Sequence, residues 1–445
     1  MAPRRKITTV LAVTAVVLIA ILLVGRLLIN ADRYRTRVIS YLQKKTGKPV
    51  EIGKLSLTFF PLAISVENFA LRNTPPFPSG YVVKVKRIDA RLDPRQLLHR
   101  HVVITSLVLD TPEVNPTSDP DGPWNFANPN ARPSDKPFTL GEIAKVEIRH
   151  GQLVASNLLP SNAPGPVFLE AHEIFGELDH VNVDAVIDPG ANSMGGQGRV
   201  RAERLSFGAV DGKNVAFTLQ LWAKQAFLAD VKAEACGGLA TGALFFDLTG
   251  KRPAFRMNAK FSDIDIVAVL QPFENGRGRM TGQMEGDLTL AGQILHTHRP
   301  LAGIHGNGHV TLRSGRVPSL ALNENLMRLV KFNNQGPAKD NPASFNRIST
   351  DLELTNLRIS SKTIDIDGYG VDVDAAGNVN VDGSDEIDYY GVARITTKQG
   401  FFTSTFARFA GATLKDGLLS FPFKVSGTIG APVFAKSSGN AKAQK

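Results

Sequence analysis

The run Val50-Glu51-Ile52-Gly53-Lys54-Leu55-Ser56-Leu57-Thr58-Phe59-Phe60-Pro61 alternates apolar and polar residues, and its reading sets the fold class. Alternation with a period of two marks a strand with one dry face, because successive side chains point to opposite sides. Val50, Ile52, Leu55, Leu57 and Phe59 then share one apolar surface, while Glu51, Lys54, Ser56 and Thr58 face the other way. The parity changes between Ile52 and Leu55, so the phase must be reset at Gly53, as a bulge would do. Phe60-Pro61 ends the run. Ile64 and Val66, followed by Phe69 and Leu71, read as a return strand on the same surface, closed by Asn73-Thr74-Pro75-Pro76.

Working outward, the same texture recurs. Val83 and Val85 alternate, and then the phase moves to Ile88, Ala90 and Leu92, which again calls for a bulge. Residues 94–98 fit one helical turn before a strand over 102–109. Residues 116–137, rich in Pro, Asn and Asp, read as a loop. Short alternating runs follow at 152–156, 200–207, 215–221, 243–248 and 255–261, with Gly, Asn and Asp between them. Helical spacing appears at 265–270, at 320–332 and at 401–409. The tail from Lys436 is small and polar and reads as disordered. The body is therefore mainly β with a few helices.

Upstream of the opening strand the pattern is different. Residues 32–45 read as a helix with Tyr34, Val38, Tyr41 and Leu42 on one stripe and Gly47 as its stop. Before it, residues 7–25 carry no charge, and Leu27-Leu28-Ile29 extend the run past Arg26. That length crosses a hydrocarbon core of about 30 Å. It exceeds the roughly 7–15 apolar residues of a signal peptide, and Ile29-Asn30-Ala31 makes a poor cleavage site. Residues 1–29 are therefore expected to be an uncleaved transmembrane helix. The formal charge of +10 belongs to this end: residues 1–60 hold 11 of the 51 bases and 2 of the 41 acids. The remainder is nearly neutral, which favours a membrane surface over nucleic acid as partner.

Length and composition exclude much else. A chain of 445 residues is long enough to bury a core without disulfide or metal staples. At 43% hydrophobic and 21% charged it has the balance of a folded protein. Its one cysteine, Cys236, permits no internal disulfide and has no His or Lys beside it, so an inert thiol is expected. There is no nucleophile elbow, no phosphate-binding glycine loop and no zinc-protease motif. Gly276-Arg277-Gly278 and Gly306-Asn307-Gly308 read as turns. His296, His298, His305 and His309 form the histidine cluster and read as exposed turn residues, because no Cys or acid completes a metal set. Asp365, Asp367, Asp372 and Asp374 alternate with Ile364, Ile366, Val371 and Val373, so they read as the wet face of a strand pair and not as a calcium loop. No catalytic, metal or cofactor site is expected.

The opening stretch also resembles a known family. Thr46-Gly47-Lys48-Pro49-Val50, then Phe60-Pro61, Val66-Glu67-Asn68, Leu92-Asp93-Pro94, Leu109-Asp110-Thr111-Pro112 and Asp121-Gly122-Pro123-Trp124-Asn125-Phe126, are similar in order and spacing to the N-terminus of the AsmA family. Residues 306–332, 351–357 with 364–368, and 427–432 resemble that family's closing region. The resemblance implies a bacterial inner-membrane protein, single-pass, with a cytoplasmic N-terminus and a periplasmic body. It implies an elongated, curved antiparallel β-sheet whose groove holds acyl chains, with Val50, Ile52, Leu55, Leu57, Phe59, Ile64 and Val66 as candidate groove residues. Roughly twenty strands at about 4.8 Å would make a trough on the order of 100 Å. The expected divisions are an anchor (1–29), an N-terminal β domain (30–130), a middle groove region (131–300), a C-terminal region (301–435) and a tail (436–445). The implied role is phospholipid transport in outer-membrane biogenesis, without enzymatic activity, with membrane lipids as partner and no cofactor. A membrane-anchored assembly factor for outer-membrane proteins is the alternative.

Overall fold

Strands form wherever the alternation is clean, and the described backbone is dominated by them. The computed structural model describes residues 31–98, 103–119, 124–126, 142–159, 161–182, 195–207, 210–222, 225–247, 254–271, 278, 280–293, 300–318, 325–326, 329, 344–396 and 412–437. The expected anchor, the 401–409 helix, His296, His298 and the tail beyond 437 lie outside these residues. Among the described residues no helix is long and apolar enough to cross a membrane. The chain divides into two compact units, residues 1–208 with 214–226, and residues 209–213 with 227–445.

Unit 1 begins with a 3-10 turn, Ala31–Tyr34, and helix α1, Arg35–Thr46. Gly47 stops the helix in the left-handed region (φ 68°), where its N–H reaches the Gln43 carbonyl. Then follow β1 (Val50–Glu51), β2 (Lys54–Phe59), β3 (Leu62–Arg72), β4 (Tyr81–Leu92), the short α2 (Pro94–Leu98) and β5 (Ile104–Val114). After these come β6 (Thr117–Ser118), β7 (Glu142–Leu158), β8 (Pro164–Asn182), β9 (Gly196–Phe207) and β10 (Val210–Trp222), whose first residues, 210–213, belong to unit 2. β1 and β2 pair with β3, β3 with β4 and β4 with β5, all antiparallel. The expected antiparallel pattern is interrupted at the next strand, where β5 and β6 pair with β7 in parallel. More than twenty residues separate β6 from β7, enough for the crossover that a parallel pair requires. β7, β8 and β9 then return to antiparallel pairing.

The stretch 116–137 is more than a loop. Thr117 and Ser118 join the sheet, and Asn125 is fully buried (0% exposed). The Asn125 amide accepts from the Thr117 N–H at 2.9 Å and donates to the Asn115 carbonyl at 2.8 Å and to Asn73 Oδ1 at 2.9 Å. One side chain thus ties the ends of β3 and β5 to β6.

Unit 2 contains β11 (Gln225–Ala235), β12 (Gly238–Asp247), β13 (Ala254–Asp265), α3 (Ile266–Leu270), β14 (Thr281–Gln293), β15 (Ile304–Arg316) and β16 (Ser344–Thr355). It continues with β17 (Arg358–Gly368), β18 (Val371–Asn380), β19 (Ile387–Thr396), β20 (Thr413–Lys415), β21 (Leu418–Thr428) and β22 (Ala431–Lys436). From β12 to β19 each strand is antiparallel to the next, and β21 closes against β19, β20 and β22. Asp265 caps α3 by accepting from the Val267 N–H at 2.9 Å. The core joins Leu312, Phe345, Ile366, Val373, Ala393, Leu419 and Phe421 to Ile266 of α3 and to Leu326, which is fully buried. Part of the 320–332 segment read as helical thus lies against this end of the sheet face.

Two sequence readings are corrected by this unit. Gly306 and Gly308 are not turn residues; they lie inside β15, paired with Leu290 and Leu288. His305 and His309 are on the same strand, and His309 Nδ1 meets Asp351 Oδ1 at 2.8 Å. The aspartates do form a wet face. Asp365 pairs with Asp374 and Asp367 with Asp372, flanked by ion pairs from Arg347 and Arg394.

Candidate functional site

Strand register in unit 1 lines up the apolar residues of successive strands. One row runs Leu57, Ile64, Ala90, Leu107, Val146, Leu178 across β2, β3, β4, β5, β7 and β8. The next runs Leu55, Val66, Ile88, Leu109, Ile148, Gly176, Val200 and reaches β9. A third starts on β1 and runs Val50, Leu71, Val83, Val114, Leu153, Ala171, Leu205. Seven strands at about 4.8 Å make each complete row about 29 Å long.

Between the second and third rows lies a seam. Asn68, Thr111, His150 and Glu173 have φ of 53°, 50°, 52° and 51°, in β3, β5, β7 and β8. A left-handed residue inside a strand adds one position and changes the parity of the residues beyond it. β4 changes phase on the same line without a left-handed residue, and pairing stays in step across it: Glu67↔Arg87 and Phe69↔Val85 on one pair, Arg87↔Asp110 and Val85↔Pro112 on the next. The phase changes expected at Gly53 and beyond Val85 are two points on this line. Asn and His tolerate the left-handed region, whereas Thr111 and Glu173 are held there at a cost of about 1–2 kcal/mol each.

The opposite face is charged. Glu67, Arg87, Asp110 and Arg149 stand in one row of alternating sign. Beside it Arg87 pairs with Asp89 at 2.8 Å, Arg149 with Glu147 at 2.7 Å and Lys145 with Glu177 at 3.1 Å. The hydrogen bond from Arg149 is the main reason the Glu147 carboxyl lies below its usual range. Exposed pairs of this kind add little stability. They keep this face wet.

Six of the seven candidate groove residues sit in β1, β2 and β3, and Ile52 lies between β1 and β2. Val50, Ile52 and Leu55 are buried (4%, 7% and 9% exposed), with α1 packed against β1 and the Ala31–Tyr34 turn against β2. Leu57, Phe59, Ile64 and Val66 are half-buried, as are Ile88, Leu107, Leu109 and Ile148 further along. Ile143, Val146 and Leu178 are fully packed, with Val200 and Leu219 against them. The apolar surface is therefore closed by protein at β1 and around β7–β8 and only partly covered between. The candidates read from the opening strands stop at β3. The later rows arise from pairing register, which alternation within one strand does not show.

Unit 2 repeats the arrangement. Leu290, Gly306 and Leu354 form one row and Leu288, Gly308 and Leu352 another, with Ile359, Val379 and Ile387 continuing the first. The unit also has a cavity of about 920 Å³ lined by Asp211, Lys213, Glu234, Cys236, Asp263 and Asp265. Burial first, and then the charges of Asp211 and Asp265, push the Cys236 thiol above its ordinary pKa. A thiol so placed is a poor nucleophile. Among the described residues no group of three His, Cys, Asp or Glu side chains could hold a metal ion.

A mainly β protein whose strands carry continuous apolar rows on one face and paired charges on the other defines a class built to present a long dry surface. Residues 1–137 match the model of the AsmA family, and this match supports the assignment of the chain to that family. The match includes the Thr46–Val50 and Asp121–Phe126 motifs and stops short of the C-terminal stretches that also resemble the family. No curated protein and no solved structure matches the chain.

Proposed function

We propose that this protein is an envelope protein held in the bacterial inner membrane by residues 1–29, with its strand-built body in the periplasm. There it carries lipid acyl chains along its apolar rows and contributes to phospholipid supply of the outer membrane, without catalysis. One observation carries the reading: apolar rows cross up to seven strands of unit 1 with their middle only half-covered. A sheet face of this kind requires a second layer, and an acyl chain supplies one. Each methylene transferred from water contributes about 0.8 kcal/mol, so the row needs no charged contact to hold a chain. The row of about 29 Å exceeds the roughly 15 Å depth of one leaflet's hydrocarbon.

The test is photocrosslinking to lipid from a probe at Leu109 in the full chain. Leu57→Asp puts a carboxylate among the acyl chains and costs several kcal/mol there, so crosslinking falls. Ser56→Asp, on the other side of β2, leaves it unchanged. If both variants crosslink like the parent, the acyl-carrying role is refuted. A β-barrel protein co-purifying in place of lipid would instead point to an assembly role.

A further inference from the structure

The outer side of α1 carries a pattern that the apolar rows do not use. Arg35, Val38, Ile39 and Leu42 are half-buried toward the sheet. The two tyrosines expected on one stripe with Val38 and Leu42 are instead exposed away from them, on a stripe of Tyr34, Arg37, Tyr41 and Lys44 at spacings of three and four. Both tyrosines are 49% exposed. The Arg37 guanidinium lies 5.8 Å from the centre of the Tyr34 ring. Among the described residues neither Arg37 nor Lys44 has a carboxylate partner.

The surrounding charge is one-sided. Residues 32–54 contain seven bases against two acids, Asp32 and Glu51. Both acids are already paired, Asp32 with Arg35 at 3.7 Å and with the Leu55 N–H at 3.2 Å, and Glu51 with Arg72. The position in the chain is equally specific. Tyr34 follows the apolar run ending at Ile29 by five residues, which span at most about 18 Å. A helix so tethered cannot leave the neighbourhood of the bilayer surface.

We infer that the Tyr34–Arg37–Tyr41–Lys44 stripe is a seat on an anionic bilayer surface, distinct from the spanning segment. The cations meet lipid phosphates, and the tyrosine rings lie at headgroup depth with their hydroxyls toward water. Seating α1 sets the β1–β2 edge of unit 1, and with it the first apolar row, against the lipid that is to be taken up. The inference rests on the reading that residues 7–29 span a membrane, and it adds a second contact to that anchor.

The experiment uses the full chain in vesicles of phosphatidylcholine alone or mixed with phosphatidylglycerol. Ser40, exposed beside the stripe, carries a spin label as Ser40→Cys in a Cys236→Ser background. In the anionic vesicles the label gains accessibility to oxygen and loses accessibility to a water-soluble nickel chelate; in the neutral vesicles it stays in water. Each cation near an anionic surface changes the seated-to-free ratio about five-fold, so Arg37→Gln with Lys44→Gln lowers it roughly 25-fold. Arg37→Lys retains the seat. A label equally open to the chelate in both lipids overturns the inference while leaving the anchor in place. So does a label shielded in both lipids with spin–spin broadening, which marks a second copy on the stripe. Protein stripped from the vesicles by a carbonate wash overturns anchor and seat together. Failure of the acyl-carrying role appears separately, as unchanged crosslinking at Leu109 in Leu57→Asp.

Discussion

Replacing Asn125 by alanine should loosen one end of unit 1 by a predictable amount. The side chain is fully buried and makes three amide hydrogen bonds, to Thr117, Asn115 and Asn73. Each bond is worth about 1 kcal/mol net, and a buried partner left bare adds a further 1–3 kcal/mol. The loss is then at least about 3 kcal/mol, and about 5 kcal/mol where the Thr117 N–H and Asn115 carbonyl find no water. At about 1.4 kcal/mol per decade, the smaller figure is two decades in the local opening constant. Hydrogen exchange of the full chain, read on peptides covering 115–119 and 154–158, is the measurement, since the Ser156 N–H donates to the Pro116 carbonyl at 3.0 Å. Exchange there should accelerate about a hundred-fold, while peptides from β14 and β15 are unaffected. Asn125→Asp keeps the acceptor for Thr117 but turns oxygen toward the two oxygens now receiving N–H groups, so it should be at least as damaging. Less than a three-fold change in Asn125→Ala, or a benign Asn125→Asp, would refute the latch.

Three further outcomes are set by the geometry. The Cys236 thiol, raised by burial and by Asp211 and Asp265, should react with maleimide more slowly in the native chain than in the unfolded chain at pH 8, a gap that narrows as pH rises; faster native labelling would contradict this. Gly308→Ala would bring a Cβ within 2.2 Å of the Asp287 carbonyl oxygen and 2.5 Å of Leu288 Cδ2, so unit 2 should lose about 1–3 kcal/mol in chemical denaturation, and an unshifted midpoint would show the strand has room. Burial raises the Asp89 carboxyl, but hydrogen bonds from Arg87 and Ser65 and the charges of Arg87 and Arg149 bring it below its usual value. Its stabilisation is therefore present above the unfolded value of about 4 and lost as pH falls through the folded one, so Asp89→Asn should flatten the acid-unfolding slope below about pH 4; an identical slope would exclude the linkage.

What can be read from the chain alone depends on whether the signal lies within one strand or between strands. The parity of Val50–Phe59 and the phase change after Val85 are local, and both appear where alternation puts them. α1 and its Gly47 stop are local too. The parallel pairing of β5 with β7 is not, because a Pro- and Asn-rich connection looks the same whether it makes a turn or a crossover. Gly306 and Gly308 read as turn residues because glycine takes the inward positions of β15 and erases its alternation. Their signal is in the neighbours, Leu288 with Leu290 and Leu352 with Leu354, which stand opposite them at matching spacing. Asn125 lies within one of the family motifs, yet nothing in Trp124-Asn125-Phe126 shows that its amide is buried. The charged face is legible as polar positions, but the sign alternation of Glu67, Arg87, Asp110 and Arg149 emerges only when four strands are laid side by side.

The left-handed seam also acts as a reading frame. On either side of Asn68, Thr111, His150 and Glu173, odd and even positions exchange the meanings of inside and outside. Removing Thr111 alone would leave Leu107 and Leu109 in place but turn Pro112 and Val114 to the wet side, because parity beyond the deletion inverts. The neighbours, still carrying their own change of phase, would no longer match. Descent with modification can therefore enlarge such a sheet by whole strands, each bringing its own change of phase at this line, while a single inserted or lost residue within a strand behaves as a frameshift in three dimensions.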